Sequence, residues 1–206
     1  KISSAWLNGG SACLGPILST IHVQLEQLSS YLSYHLRLFR FQQRRTKSPH
    51  MTTRNYWLMK SEPDAYGIDQ LKQEGSTLWD GIRNYQARNF MRSMVVGDRA
   101  FFYHSNCKPP GIVGLMEVTE TRIIDPTQFD AKAKYYDPKS KQDKPRWDCV
   151  QLRYLGCFNE LLSLEKLRDR YSAEELPVVR KGNRLSILPV PKSTATDLLQ
   201  WLGPLN

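Results

Sequence analysis

The eleven residues WDGIRNYQARN at 79–89 bring Trp79, Arg83, Asn84, Tyr85, Arg88 and Asn89 into one short stretch. A ring or guanidinium plane can stack on a base, an amide can hydrogen-bond its edge, and an arginine can meet a phosphate. The same residues have a plainer reading, in which Trp79 and Tyr85 fill a core and the arginines form a solvated helix face. A second segment, FDAKAKYYDPKSKQDKPRWDC at 129–149, sets Lys132, Lys134, Lys139, Lys141, Lys144 and Arg146 among Tyr135, Tyr136 and Trp147. Basic residues interleaved with aromatics are what a loop gripping a single strand or a flipped nucleotide would use. Asp130, Asp137, Asp143 and Asp148 dilute that charge, and a solvated loop is the alternative.

Catalytic constellations are weaker. His104 lies near Ser105 and Cys107, but no GxSxG elbow surrounds either nucleophile. No Walker loop or GxGxxG occurs, and the GNR at 182–184 cannot cradle a diphosphate. The four cysteines form no CxxC pair, and His104 with Cys107 is only half of a zinc site, so neither a metal nor a cofactor is expected. Sparse cysteines also suit a reducing compartment better than a disulfide framework.

Strands and helices must position these groups. YWLM at 56–59 reads as a strand, Ile68–Glu74 as a short helix ended by Gly75, and Asn84–Met94 as a longer helix ended near Gly97. Ala100–His104 and Ile112–Val118 read as strands joined by SNCKPPG, and Trp147–Tyr154 as another. A helix over Ser163–Tyr171 with Ser163 as its cap, a strand at Leu185–Val190 and a closing helix over Ser193–Leu202 complete the order. Thr119–Arg146 reads as a long excursion, of a length uncommon in loops unless they are functional or disordered. Short strands interleaved irregularly with short helices predict an α+β fold, a small and mostly antiparallel barrel with helices outside, rather than a doubly wound sheet.

With 206 residues, 40% hydrophobic and 24% charged, the chain has the balance of a globular protein, and no apolar run is long enough for a spanning helix. The net charge of +9 divides unevenly. Residues 1–50 carry six Lys/Arg against the single acid Glu26, whereas 51–206 carry 23 against 19, so total charge overstates the case for nucleic acid. The first fifty residues are Ser-rich and nearly acid-free and look like an addition to a domain spanning 51–206. Ile21, Leu25, Leu28, Leu32, Leu36 and Phe39 fall at helical spacing and predict a helix over 17–43. Read-through ahead of a start at Met51 is the reading adopted, with an organelle-targeting segment or a native helix as alternatives.

Five segments in this order, YWLMKSEP (56–63), WDGIRNYQARN (79–89), GDRAFFYHSNCKPPGIVGLMEV (97–118), YYDPKSKQDKPRW (135–147) and NRLSILPV (183–190), together resemble an EVE domain over 55–202. The resemblance implies a PUA-like barrel, distantly related to YTH domains that read methylated adenosine in RNA, and a non-catalytic reader of modified bases in DNA or RNA. It implies a base pocket in which Lys60, Ser61 and Glu62 end the first strand on the wall. Trp79 and Asp80 give a stacking wall and a polar contact, with Asn84 nearby. His104 and Ser105 form the rim, and Tyr136 or Trp147 supplies the opposing aromatic. Arg83, Arg88, Lys132, Lys134 and Arg146 are the expected phosphate contacts. The resemblance to compact bacterial members further implies a cytoplasmic protein, nuclear or mitochondrial if the source is eukaryotic. Two other classes stay open: an RNA- or nucleotide-modifying enzyme with His104 or Asp80 as acid–base group, and an interaction protein with a vestigial pocket.

Overall fold

The computed structural model describes residues 54–206; the helix expected over 17–43 and the boundary at Met51 lie outside the described residues. Strand β1 (Tyr56–Ser61) is buried throughout Trp57–Met59, the mark of a strand covered on both faces. It pairs in parallel with β3 (Arg99–His104) and antiparallel with β6 (Ile187–Val190). Strand β3 continues antiparallel to β4 (Gly111–Ile124), β4 to β5 (Asp148–Ser163), and β5 to the short β2 (Ser76–Leu78). The sheet order is therefore β2-β5-β4-β3-β1-β6, mostly antiparallel, with β1–β3 as its parallel pair. A parallel pair needs a crossover. Here it contains α1 (Ile68–Glu74), β2 and α2 (Tyr85–Ser93).

Alternation along the central strands sends side chains into two cores. Trp57, Met59, Ala100 and Phe102 meet Ile68 and Leu71 of α1, Ala87 and Met91 of α2, and Trp79. Leu58, Phe101 and Tyr103 meet Leu167 of α3 (Leu164–Arg170) and Ala195 and Leu198 of α4 (Lys192–Leu202). Register shifts at four places between β4 and β5, and one between β3 and β4, bend the sheet.

The helix caps follow the sequence closely. Gly75 ends α1 at φ +74°, Ser163 caps α3 through the N–H of Lys166, and Asn84 begins α2 by accepting from the N–H groups of Gln86 and Ala87. Strand lengths depart from expectation. The expected excursion at 119–146 begins as strand, because Glu120 and Arg122 project to solvent from β4 while its alternate positions are half-buried. Strand β5 runs on to Ser163, and β2, at three residues, is too short to show a period.

The remaining loop is closed at its base by Gln128, which is fully buried. Its amide nitrogen donates to the carbonyls of Asp125 and Trp147 at 2.7 and 2.8 Å. Its amide oxygen accepts from the N–H groups of Arg146 and Trp147 at 2.9 and 3.1 Å.

Candidate functional site

A cavity of about 690 Å³ opens where β1 ends. Lys60, Ser61 and Glu62 line it from that strand, and Ser105 from the end of β3, whose N–H donates to the Ser61 carbonyl at 2.9 Å. Trp79, Asp80, Gly81 and Arg83 follow β2 into the wall, Lys134 and Tyr135 come from the long loop, and Arg184 and Ser186 precede β6. The volume falls within the roughly 300–1,000 Å³ of small-ligand sites.

One buried carboxylate organises the wall. Asp125, fully buried, accepts from the Gly81 N–H at 3.0 Å and pairs with Arg83 at 2.7 Å. Arg83 in turn donates from Nε to the Tyr135 carbonyl at 2.7 Å and from Nη2 to Thr127 Oγ1 at 2.9 Å. The Tyr135 ring then lies against Gly81: a Cβ built there would sit 2.6 Å from it, and φ at Gly81 is +72°. Only glycine meets both conditions without strain.

Trp79 lines the cavity yet is only 7% exposed, packed edge-on against Phe102 at 5.4 Å and Tyr66 at 6.5 Å. It belongs to core and cavity at once. Asp80 has no hydrogen-bond partner among the described residues, and desolvation together with the nearby Asp125 carboxylate raises its pKa above the ordinary value, against the pull of Arg83. Burial lowers the pKa of Lys60, whose Nζ donates to the Asn183 carbonyl at 3.2 Å. Ser61 donates its hydroxyl to the Tyr66 carbonyl at 2.8 Å.

The structure thus brings Lys60, Ser61, Glu62, Trp79, Asp80 and Ser105 to one cavity and leaves out the other expected pocket residues. Asn84 caps α2 with its side-chain oxygen. His104 accepts the Ile68 N–H on Nε2 at 3.2 Å, and burial lowers its pKa, so it holds the start of α1 as a neutral imidazole. Trp147 is 4% exposed, stacks on Tyr85 at 4.9 Å and donates to Asp137 at 2.7 Å. Tyr136 is solvent-exposed and does not line the cavity; its neighbour Tyr135 does.

The expected phosphate contacts divide similarly. Arg83 is held by Asp125, Thr127 and Tyr135. Arg88 donates to the Arg146 carbonyl at 2.9 Å, and Arg146 pairs with Asp137 at 3.0 Å and bonds the Tyr85 hydroxyl. Lys132 and Lys134 are exposed and have no ion pair among the described residues, and Lys134 lines the cavity. Sequence reasoning did not select Tyr135, Gly81 or Arg184 for the site, although the WDG and NRLS segments contain the latter two. Among the described residues, no three His, Cys, Asp or Glu side chains group to hold a metal, and no helix is long and apolar enough to cross a membrane.

The family model described as EVE domain matches residues 55–201. Thymocyte nuclear protein 1 of Rattus norvegicus is 46% identical over 132 residues, which cover 59% of this chain and 58% of that protein. The chain therefore spans little more than half the length of this curated relative. A crystal structure of a Pseudomonas syringae protein matches at 42% identity and a TM-score of 0.69, covering 72% of this chain and 99% of that one. Human THYN1, solved in complex with 5-methylcytosine-containing DNA, matches at 38% identity and a TM-score of 0.66, covering 74% of this chain and 99% of that one.

Proposed function

We propose, from the premise that this chain belongs to the EVE domain family, that it binds a modified base of DNA or RNA in the cavity at the end of β1 and carries out no chemistry on it. The observation that carries this reading is a cavity walled by Trp79 and Tyr135 in which the Asp80 carboxylate has no protein partner among the described residues. The similarity to human THYN1, solved with 5-methylcytosine-containing DNA, makes a modified cytosine the first ligand to consider. Cytosine offers an exocyclic amine that a carboxylate can accept from, and acceptors that an ammonium can meet, which suits Asp80 and Lys60.

The energetics are compatible. Taking a base out of its stack costs a few kcal/mol, and stacking on an aromatic wall returns about 1–3 kcal/mol. A methyl group in an apolar niche adds about 1–3 kcal/mol, which is about tenfold to two-hundredfold in preference. The acid–base alternative through His104 loses its imidazole lone pair to the Ile68 N–H.

The test is a titration of the full chain with single- and double-stranded oligonucleotides that differ only in one cytosine or adenine modification, at two salt concentrations. The reading expects tighter binding to one modification, with a ratio that survives added salt. Equal affinity for all of them would overturn it.

A further inference from the structure

The Arg83, Arg88 and Arg146 guanidiniums are engaged within the protein, so a strand entering the cavity needs other cations. The turn before β6 supplies them. Arg180–Arg184 carries three cations and no acid. Arg180 pairs with Glu174 at 3.6 Å, whereas Lys181 and Arg184 are exposed without an ion pair among the described residues, and Arg184 lines the cavity.

The turn is firmly built. The Asn183 N–H donates to the Arg180 carbonyl at 3.2 Å, and its side chain donates to the Pro177 carbonyl at 2.7 Å while accepting from the Leu185 N–H at 3.0 Å. Its carbonyl receives Lys60 Nζ, which ties the turn to β1. Gly182 has φ +78° and open space beside it, so another backbone can approach closely. The N–H groups of Lys181, Gly182 and Arg184 donate to no protein acceptor among the described residues. Unengaged N–H groups around a left-handed residue, flanked by cations, form an anion-binding concavity.

We propose that the 180–184 turn binds a backbone phosphate of the nucleic acid whose base occupies the cavity, with Lys181 and Arg184 as its side-chain ligands. This rests on the base-pocket reading above. Lys134 reaches the same cavity from the long loop, so cations from two separate segments flank the entering strand.

The test compares the full chain with its Lys181→Ala/Arg184→Ala double variant, on paired oligonucleotides with cytosine or 5-methylcytosine over a salt series. The double variant should weaken both oligonucleotides by the same factor, keep their ratio, and lower the salt slope by about one, for the single phosphate the turn neutralises. Lys166→Ala, on α3 and away from this cavity, should leave the slope unchanged. In the wild type, 5-methylcytidine monophosphate should bind more tightly than the nucleoside, and the double variant should erase that difference.

An unchanged slope in the double variant overturns the phosphate site, while a ratio lost in Tyr135→Ala would leave the pocket reading standing. If the wild type shows no preference but the double variant still lowers the slope, the turn binds phosphate and only the pocket reading falls.

Discussion

Around Trp147, aromatic and cationic side chains engage one another. The Trp147 ring stacks on Tyr85, its Nε1–H donates to Asp137, Arg146 pairs with the same carboxylate, and Arg88 lies over Tyr85 at 4.7 Å while donating to the Arg146 carbonyl. Around the cavity the residue types are the same, but Asp80, Lys134 and Arg184 have no ion pair among the described residues. Hydrogen-bonding capacity used inside the fold stabilises it, and capacity left at a concave surface is available to a ligand. The first cluster fastens the long loop; the second lines the cavity that this loop helps enclose.

The two regions should therefore separate under mutation. Trp147→Ala should have the largest effect on stability, about 3–5 kcal/mol, seen in denaturant unfolding, with any change in base preference no greater than the loss of folded protein accounts for. A selective loss of preference at full folding would move Trp147 into the binding site. Gly81→Ala should cost about 1–2 kcal/mol because of its left-handed backbone, and should also abolish base preference, because the new methyl displaces Tyr135. Asn84→Ala should cost about 1 kcal/mol through the lost cap and leave preference intact.

Asp137 and Asp80 should give stability opposite pH dependences. Asp137 is lowered by its hydrogen bond from Trp147, by the Lys139 N–H and by Arg146, so the stability it contributes is present above the unfolded carboxylate pKa and lost as pH falls through the folded one. Asp80 is raised, so the fold loses stability as pH rises through its folded pKa. Asp80→Asn should thus slightly raise the melting temperature at neutral pH while reducing preference for the modified base. A lowered melting temperature would show that Asp80 supports the fold.

Much of this was legible in the sequence. The caps at Gly75 and Ser163 follow from local chemistry, and the central strands from their apolar runs, whereas Asn84, expected in the pocket, caps α2. Lys60, Ser61 and Glu62, Trp79 and Asp80, and Ser105 were chosen by resemblance and meet at one cavity. What escaped depends on long-range partners. Choosing Tyr135 over Tyr136 requires knowing that Gly81 leaves room for a ring and that Arg83 grips the Tyr135 carbonyl. His104 and Trp147 look functional in sequence because the groups that engage them, the Ile68 N–H and the Asp137 carboxylate, are 36 and 10 residues away.

The central claim, that Tyr135 forms a wall of a base pocket rather than part of the core, is tested most directly by Tyr135→Ala in the full chain. The affinity ratio for 5-methylcytosine over cytosine oligonucleotides would be measured beside the melting temperature. The account predicts that the ratio collapses toward one while the melting temperature stays close to that of the wild type. A preserved ratio in the folded variant would contradict it.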